Sequence, residues 1–161
     1  MNWSLLLSGL ALCVSLGSVI WVQRRTDNRE FSKWRRDTLT KTTVDFIKLS
    51  TQRSNYIRRY VSEYSHYKKH VNFDDQSGFM TSASSLLATI EICDSEKMYL
   101  EAQAIHKLHK KSETLVGQFV RKNSTEDSPS KPDAIGEIFG YLNKIDHLHN
   151  GLIAETKQAM Q

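Results

Sequence analysis

WSLLLSGLALCVSLGSVIWVQRR, residues 3–25, decides how the rest of the chain is read. Its first twenty residues carry no charge and are dominated by Leu, Ile, Val, Ala and Trp. At about 1.5 Å per residue they span about 30 Å as a helix, the thickness of a bilayer's hydrocarbon core. Trp3 and Trp21 stand near the two ends, where indole rings favour the headgroup level. Arg24 and Arg25 follow at once, and Arg29, Lys33, Arg35 and Arg36 lie close behind. Excess cations after an apolar run keep that side in the cytoplasm. The expectation is a single-pass anchor over residues 1–22, with the N-terminus outside and the C-terminus cytoplasmic, in an inner (plasma) membrane. A cleaved signal peptide would carry its cations before the apolar run and a small-x-small site after it. Val19-Ile20-Trp21-Val22 provides no such site, and Leu12 is too large to precede Cys13 in a lipoprotein cleavage box.

Ser4, Ser8, Ala11, Ser15 and Ser18 recur at alternating intervals of four and three, which puts small residues on one helical face. Such faces let helix backbones approach and hydroxyls bond across the contact, so self-association or docking on another membrane protein is expected.

The net charge of +4 conceals a gradient. Residues 23–72 hold 13 Lys/Arg and 5 Asp/Glu, whereas residues 73–161 hold 9 and 13. The basic part thus adjoins the apolar segment. Residues 24–41 alone carry seven cations and three anions. Beside an anionic leaflet each cation contributes about 1 kcal/mol, so Arg24, Arg25, Arg29, Lys33, Arg35 and Arg36 are the expected contacts to anionic lipid.

Only two prolines occur, Pro129 and Pro132, which favours long helices over a turn-rich β fold. Phe31, Trp34, Leu39, Phe46, Ile57, Tyr60, Tyr64 and Val71 mark an approximate helical stripe. Residues 72–78 read as a turn. A second helix fits residues 79–122, with Leu87, Ile90, Ile105, Leu108, Leu115 and Phe119 as core. Cys93-Asp94-Ser95-Glu96 is a candidate interruption, because Asp and Ser compete with the helical backbone. NSTEDSPSKP, residues 123–132, reads as a flexible linker. Beyond it Asp133 is a candidate N-cap, and Ile135, Ile138, Leu142, Ile145, His149 and Leu152 form a coiled-coil-like seam. Asn150-Gly151 could end that helix early. The fold class is therefore all-α: an N-terminal transmembrane helix, a two-helix cytoplasmic hairpin over residues 23–122, a linker, and a C-terminal helix over 133–161. These form an antiparallel helical bundle or coiled coil, closed within one chain or between chains.

Candidate chemistry is sparse. Tyr56, Tyr60, Tyr64 and Tyr67 lie among Arg53, Arg58, Arg59, Lys68 and Lys69, a pattern that can track nucleic acid. With no recognition motif beside it, a semi-polar helix interface is the better reading, and no nucleic-acid partner is expected. His106 and His109, with His147 and His149, could in principle hold a metal. However, His147 and His149 point about 200° apart on a helix, and His149 falls on the apolar seam. No phosphate-cradling loop, zinc-protease helix or G-x-S-x-G elbow occurs, so no enzyme, cofactor or small-molecule substrate is expected. Cys13 and Cys93 are too differently placed to suggest a disulfide.

FSKWRRDTL, residues 31–39, placed soon after an apolar span, is similar to uncharacterised small single-pass membrane proteins of actinobacteria and their phages. The similarity covers the first third of the chain and rests on Trp34, Arg36, Asp37 and Leu39. It implies a bacterial or viral inner-membrane protein and brings no catalytic residues with it. Two functions follow as expectations. One is a membrane-anchored helical interaction or scaffold module without catalytic activity. The other is a phage or prophage membrane effector, acting in lysis control or in exclusion of a competing phage.

Overall fold

The computed structural model describes residues 3–67, 77–93, 95–123 and 132–160. Within those ranges, the side chains of residues 3–14, 16, 17, 65–67, 77, 122, 123, 132 and 133 lie outside the described set. Four helices follow in order: α1 (Trp3–Tyr67), α2 (Ser77–Ile92), α3 (Glu96–Asn123) and α4 (Pro132–Ala159). The described residues contain no strand. Chain contacts divide the molecule into two units, Met1–Asp37 and Thr38–Gln161.

The second unit is an all-α helical bundle. Its core is built on heptad-like spacing, in which inward positions alternate three and four apart. In α1 these are Leu39, Thr43, Phe46, Ser50, Arg53, Ile57, Tyr60 and Tyr64, all buried. In α3 they are Met98, Ala102, Ile105, His109, Ser112, Val116 and Phe119, and in α4 Ile138, Leu142, Ile145, His149, Leu152 and Thr156. α2 adds Phe79, Ala83, Leu87 and Ile90.

Side-chain pairs set the helix directions. Lys97 pairs with Glu155, and Glu101 lies against Gly151, so α3 and α4 run antiparallel. Arg58 meets Asp146 and Ser50 meets His149, so α1 and α4 also run antiparallel. Arg53 reaches Glu113 while Tyr64 packs on Phe119, which makes α1 and α3 parallel. Phe79, near the start of α2, packs on His109 in the middle of α3, so α2 and α3 run antiparallel and the order is the up-down-up-down of a four-helix bundle.

The break between α2 and α3 falls at the interruption expected between Cys93 and Glu96, so residues 79–122 form two helices rather than one. The Tyr99 N–H bonds the Ser95 carbonyl at 2.9 Å, which opens α3, and Glu96 puts a carboxylate in the first turn, against the positive end of the helix. α4 starts at Pro132, whose fixed φ suits a first helical turn, and runs on through Asn150 and Gly151. Several expectations need correction. Phe31 and Trp34, placed on the core stripe by their spacing, are exposed at 62% and 51%; both precede the unit that packs. Leu108 and Leu115 do pack against the core but only half-buried, because the most inward positions of α3 there are His109, Ser112 and Val116.

Among the described residues no helix is long and apolar enough to cross a membrane. The span expected at residues 3–22 falls largely on side chains outside that set, as do Ser4, Ser8, Ala11, Val71 and most of the linker at 123–132.

Candidate functional site

Beyond the single threonines Thr43 and Thr156, polar residues interrupt all three long seams at a common level. α1 presents Ser50, Arg53 and Ser54, α3 presents His109, Ser112 and Glu113, and α4 presents His149. Ser50 Oγ lies 2.7 Å from His109 Nε2 and 2.8 Å from His149 Nε2. A serine hydroxyl has one proton to give, so one imidazole must donate to it and the other accept from it. His109 Nδ1 is enclosed and has no hydrogen-bond partner among the described residues. A buried N–H without an acceptor is the worse arrangement, so the proton belongs on His109 Nε2. His109 then donates to Ser50, and Ser50 donates to His149. Ser112 Oγ adds a bond to the His109 carbonyl at 2.8 Å.

Arg53 lies beside this chain of bonds with its side chain fully buried. Its Nε donates to Glu113 Oε1 at 2.7 Å. Its guanidinium carbon stands 5.3 Å from the Tyr56 ring centroid and 5.8 Å from that of Phe79. Phe79 also meets His109 edge-on, at 4.8 Å between centroids. An Arg charge removed from water costs several kcal/mol unless it is paired, and here a carboxylate and two ring faces compensate.

Burial, more than any neighbouring charge, favours the neutral form of both imidazoles. Burial, then His149, Arg53 and His106, lowers the pKa of His109 to about 3. Burial lowers that of His149 as well, with Asp146 opposing and Arg58 assisting. His106, half-buried on the same helix, is lowered by burial and by Lys110.

A serine hydrogen-bonded to a histidine is the pairing that nucleophilic hydrolases use, with a third group orienting the base. This arrangement differs in two ways. Ser50 and His109 are fully enclosed, and the second nitrogen of His109 meets no orienting group among the described residues. What the layer does show is a tie between helices: one serine bonds two histidines on two other helices, which penalises any register that separates them.

The residues expected at a membrane surface lie elsewhere. In the unit Met1–Asp37, Arg24, Arg25, Arg29, Lys33 and Arg36 are exposed and Arg35 is half-buried. Ser15 and Ser18 are exposed, and Ser18 Oγ donates to the Ser15 carbonyl at 2.7 Å. Arg25 stacks over Trp21 at 5.3 Å, and Phe31 packs on Trp34 at 5.7 Å between centroids. The chain matches no family model, no curated protein and no solved structure. Its similarity to small phage and actinobacterial membrane proteins is thus not shown.

Of the four histidines weighed as a metal site, only His109 and His149 come together, through Ser50. His109 and His149 meet across helices, while His147 faces solvent. Among the described residues no three His, Cys, Asp or Glu side chains gather as a metal would require. Tyr56, Tyr60 and Tyr64 stack along α1; Tyr60 and Tyr64 are buried in the core and Tyr56 is half-buried, while the Tyr67 side chain lies outside the described residues. Sequence reasoning missed Ser50, Arg53 and Glu113. The available signal was the three–four spacing of Phe46 and Ile57, which continues through Ser50 and Arg53 once polar residues are admitted to the seam.

Proposed function

We propose that this protein is a membrane-anchored helical interaction module, with its bundle on the cytoplasmic side of an inner membrane. The carrying observation is the run Val19, Ile20, Trp21 and Val22, exposed at 60%, 55%, 62% and 55%. At about 100° per residue, four consecutive side chains cover about 300° of the helix circumference. A protein groove shelters one stripe of a helix, whereas a bilayer surrounds it, so apolar character all round suits lipid. Arg24 and Arg25 follow directly, and the Arg25–Trp21 stack is the kind of pair that sits at the headgroup level. The small-residue face of Ser4, Ser8, Ala11, Ser15 and Ser18 supports pairing of the anchor with a second copy or another membrane protein. The bundle, whose polar layer is closed to solvent, supports a role in contact rather than turnover.

Alkaline extraction of membranes, with reporter fusions at both termini, tests the anchor and its direction. The protein should remain in the membrane pellet, with the C-terminal reporter active in the cytoplasm. Release into the supernatant, or an external C-terminus, would overturn the reading. Cysteine crosslinking at Ser8 or Ser15 should trap dimers if the small-residue face is the contact.

A further inference from the structure

The exposed part of α1 that follows Val22 is divided lengthwise by charge. At about 100° per residue, Arg24, Arg25, Arg29, Lys33, Arg35 and Arg36 fall within about 180° of the circumference. Asp27, Glu30 and Asp37 occupy about 120° on the opposite side, together with Phe31 and Trp34. Side chains from Trp21 to Arg36 line one shallow groove along the basic side, Arg25, Arg29 and Lys33 among them. A segment that merely fixed topology would have no reason to sort its charges in this way, since topology depends on their number near the span.

We infer that this helix leans as it leaves the membrane, with its basic side as the underside against anionic phospholipid headgroups. The inference rests on the membrane-anchor reading. Were the helix upright, Arg36 would stand about 18 Å beyond Arg24. The screening length at physiological salt is about 8 Å, so Lys33 and Arg36 would gain nothing from the leaflet. Membrane helices tilt by as much as about 40°, and long Lys and Arg side chains reach several ångströms further. A lean of that size lowers the backbone at Lys33 and Arg36 to about 10 and about 14 Å above Arg24. Downward-pointing side chains then bring their charges to about one screening length of the leaflet, while Asp27, Glu30 and Asp37 turn away from like charge. Continuity identifies lipid as the occupant: the basic side begins at Trp21 and Arg25, next to side chains that are apolar in every direction. Phe31 and Trp34 are left on the upper side, facing water or protein.

Full-length protein reconstituted in vesicles gives the test. Lysines are acetylated and arginines treated with phenylglyoxal, in phosphatidylcholine alone and with phosphatidylserine added, and rates are read by mass spectrometry. Lys33 and Arg36 should react about fivefold more slowly on anionic vesicles, the equivalent of about 1 kcal/mol per cation. Lys107, exposed on α3, should be unchanged. About 1 M salt, with a screening length of about 3 Å, should abolish the difference. Equal rates in the two lipids, with the protein still resisting alkaline extraction, would overturn the lean and leave the anchor standing. Slow reaction in both lipids regardless of salt would mean that protein covers this side, and would also overturn it. Release of the protein from the vesicles would remove the anchor and this inference together.

Discussion

Ser50 and His149 stand 99 positions apart in the chain, and their side chains meet at 2.8 Å in the centre of the bundle. His109 shares the same hydroxyl at 2.7 Å, so one oxygen ties α1 to both α3 and α4. Replacing Ser50 by Ala leaves two enclosed imidazole nitrogens without a partner. Denaturant unfolding of the full chain in mild detergent should then show a loss of about 1–3 kcal/mol. The triple variant Ser50→Ala/His109→Leu/His149→Leu removes donors and acceptors together and should recover most of that loss. A Ser50→Ala variant as stable as the parent would show that these bonds do not hold the helices in register.

Acid should weaken the bundle through the same histidines. The folded-state pKa of His109 is about 3, below the ordinary value of 6.5, so the unfolded chain binds its proton first. The stability associated with neutral His109 is fully present above about pH 6.5 and is lost as pH falls toward 3, at about 1.4 kcal/mol per pH unit. His149 and His106 are shifted in the same direction and act with the same sign. Unfolding midpoints measured from pH 7 to 5 should fall, and His109→Asn should flatten the slope. A slope unchanged in that variant would place the acid sensitivity elsewhere.

Arg53 and Glu113 predict an asymmetry between two single substitutions. Glu113→Gln strands a buried guanidinium and should cost about 3 kcal/mol. Arg53→Met removes the charge itself, fills similar volume with apolar atoms, and leaves Glu113 partly in water, so it should cost less. Thermal melts of both variants decide the order, and the reverse order would show that Glu113 is not the compensating charge.

Two glycines of α4 differ in what surrounds them. A Cβ at Gly140 meets nothing within 4 Å, so Gly140→Ala should stabilise by about 0.5–1 kcal/mol through helix propensity. A Cβ at Gly151 stands 3.2 Å from the Glu101 carboxylate. Glu101 lies between Lys97 and Glu155, its pKa raised by burial and then by Glu155. Its carboxylate must shift to admit the methyl group, so Gly151→Ala should gain less than Gly140→Ala in the same melts. A larger gain at Gly151 would mean that Glu101 moves freely.

Much of the helix content was legible before the structure. The seam from Ile138 to Leu152 could be read by counting, with Ile135 at its start only half-buried, and so could the break near Cys93. α1 was misjudged at Phe31 and Trp34 because large apolar residues at helical spacing look alike whether they face a core or solvent. In α3, Ile105 and Phe119 are buried as expected, but Leu108 and Leu115 miss the inward face by one residue, about 100°. They outrank His109 and Ser112 in hydrophobicity, yet the polar pair faces inward. Polarity argues against burial only while no partner is in sight, and the partners of His109 lie on other helices.

By itself the sequence determined what depends on neighbours along the chain: long helices with no proline in their interiors, three–four periodicity, and an uncharged N-terminal run closed by arginines. Tertiary structure alone decided that Ser50, Arg53, His109, Glu113 and His149 share one layer. Periodicity is local, encoded within a few turns of helix. The burial of a polar side chain is favourable only when hydrogen bonds compensate it, and here those bonds join residues 59, 60 and 99 positions apart.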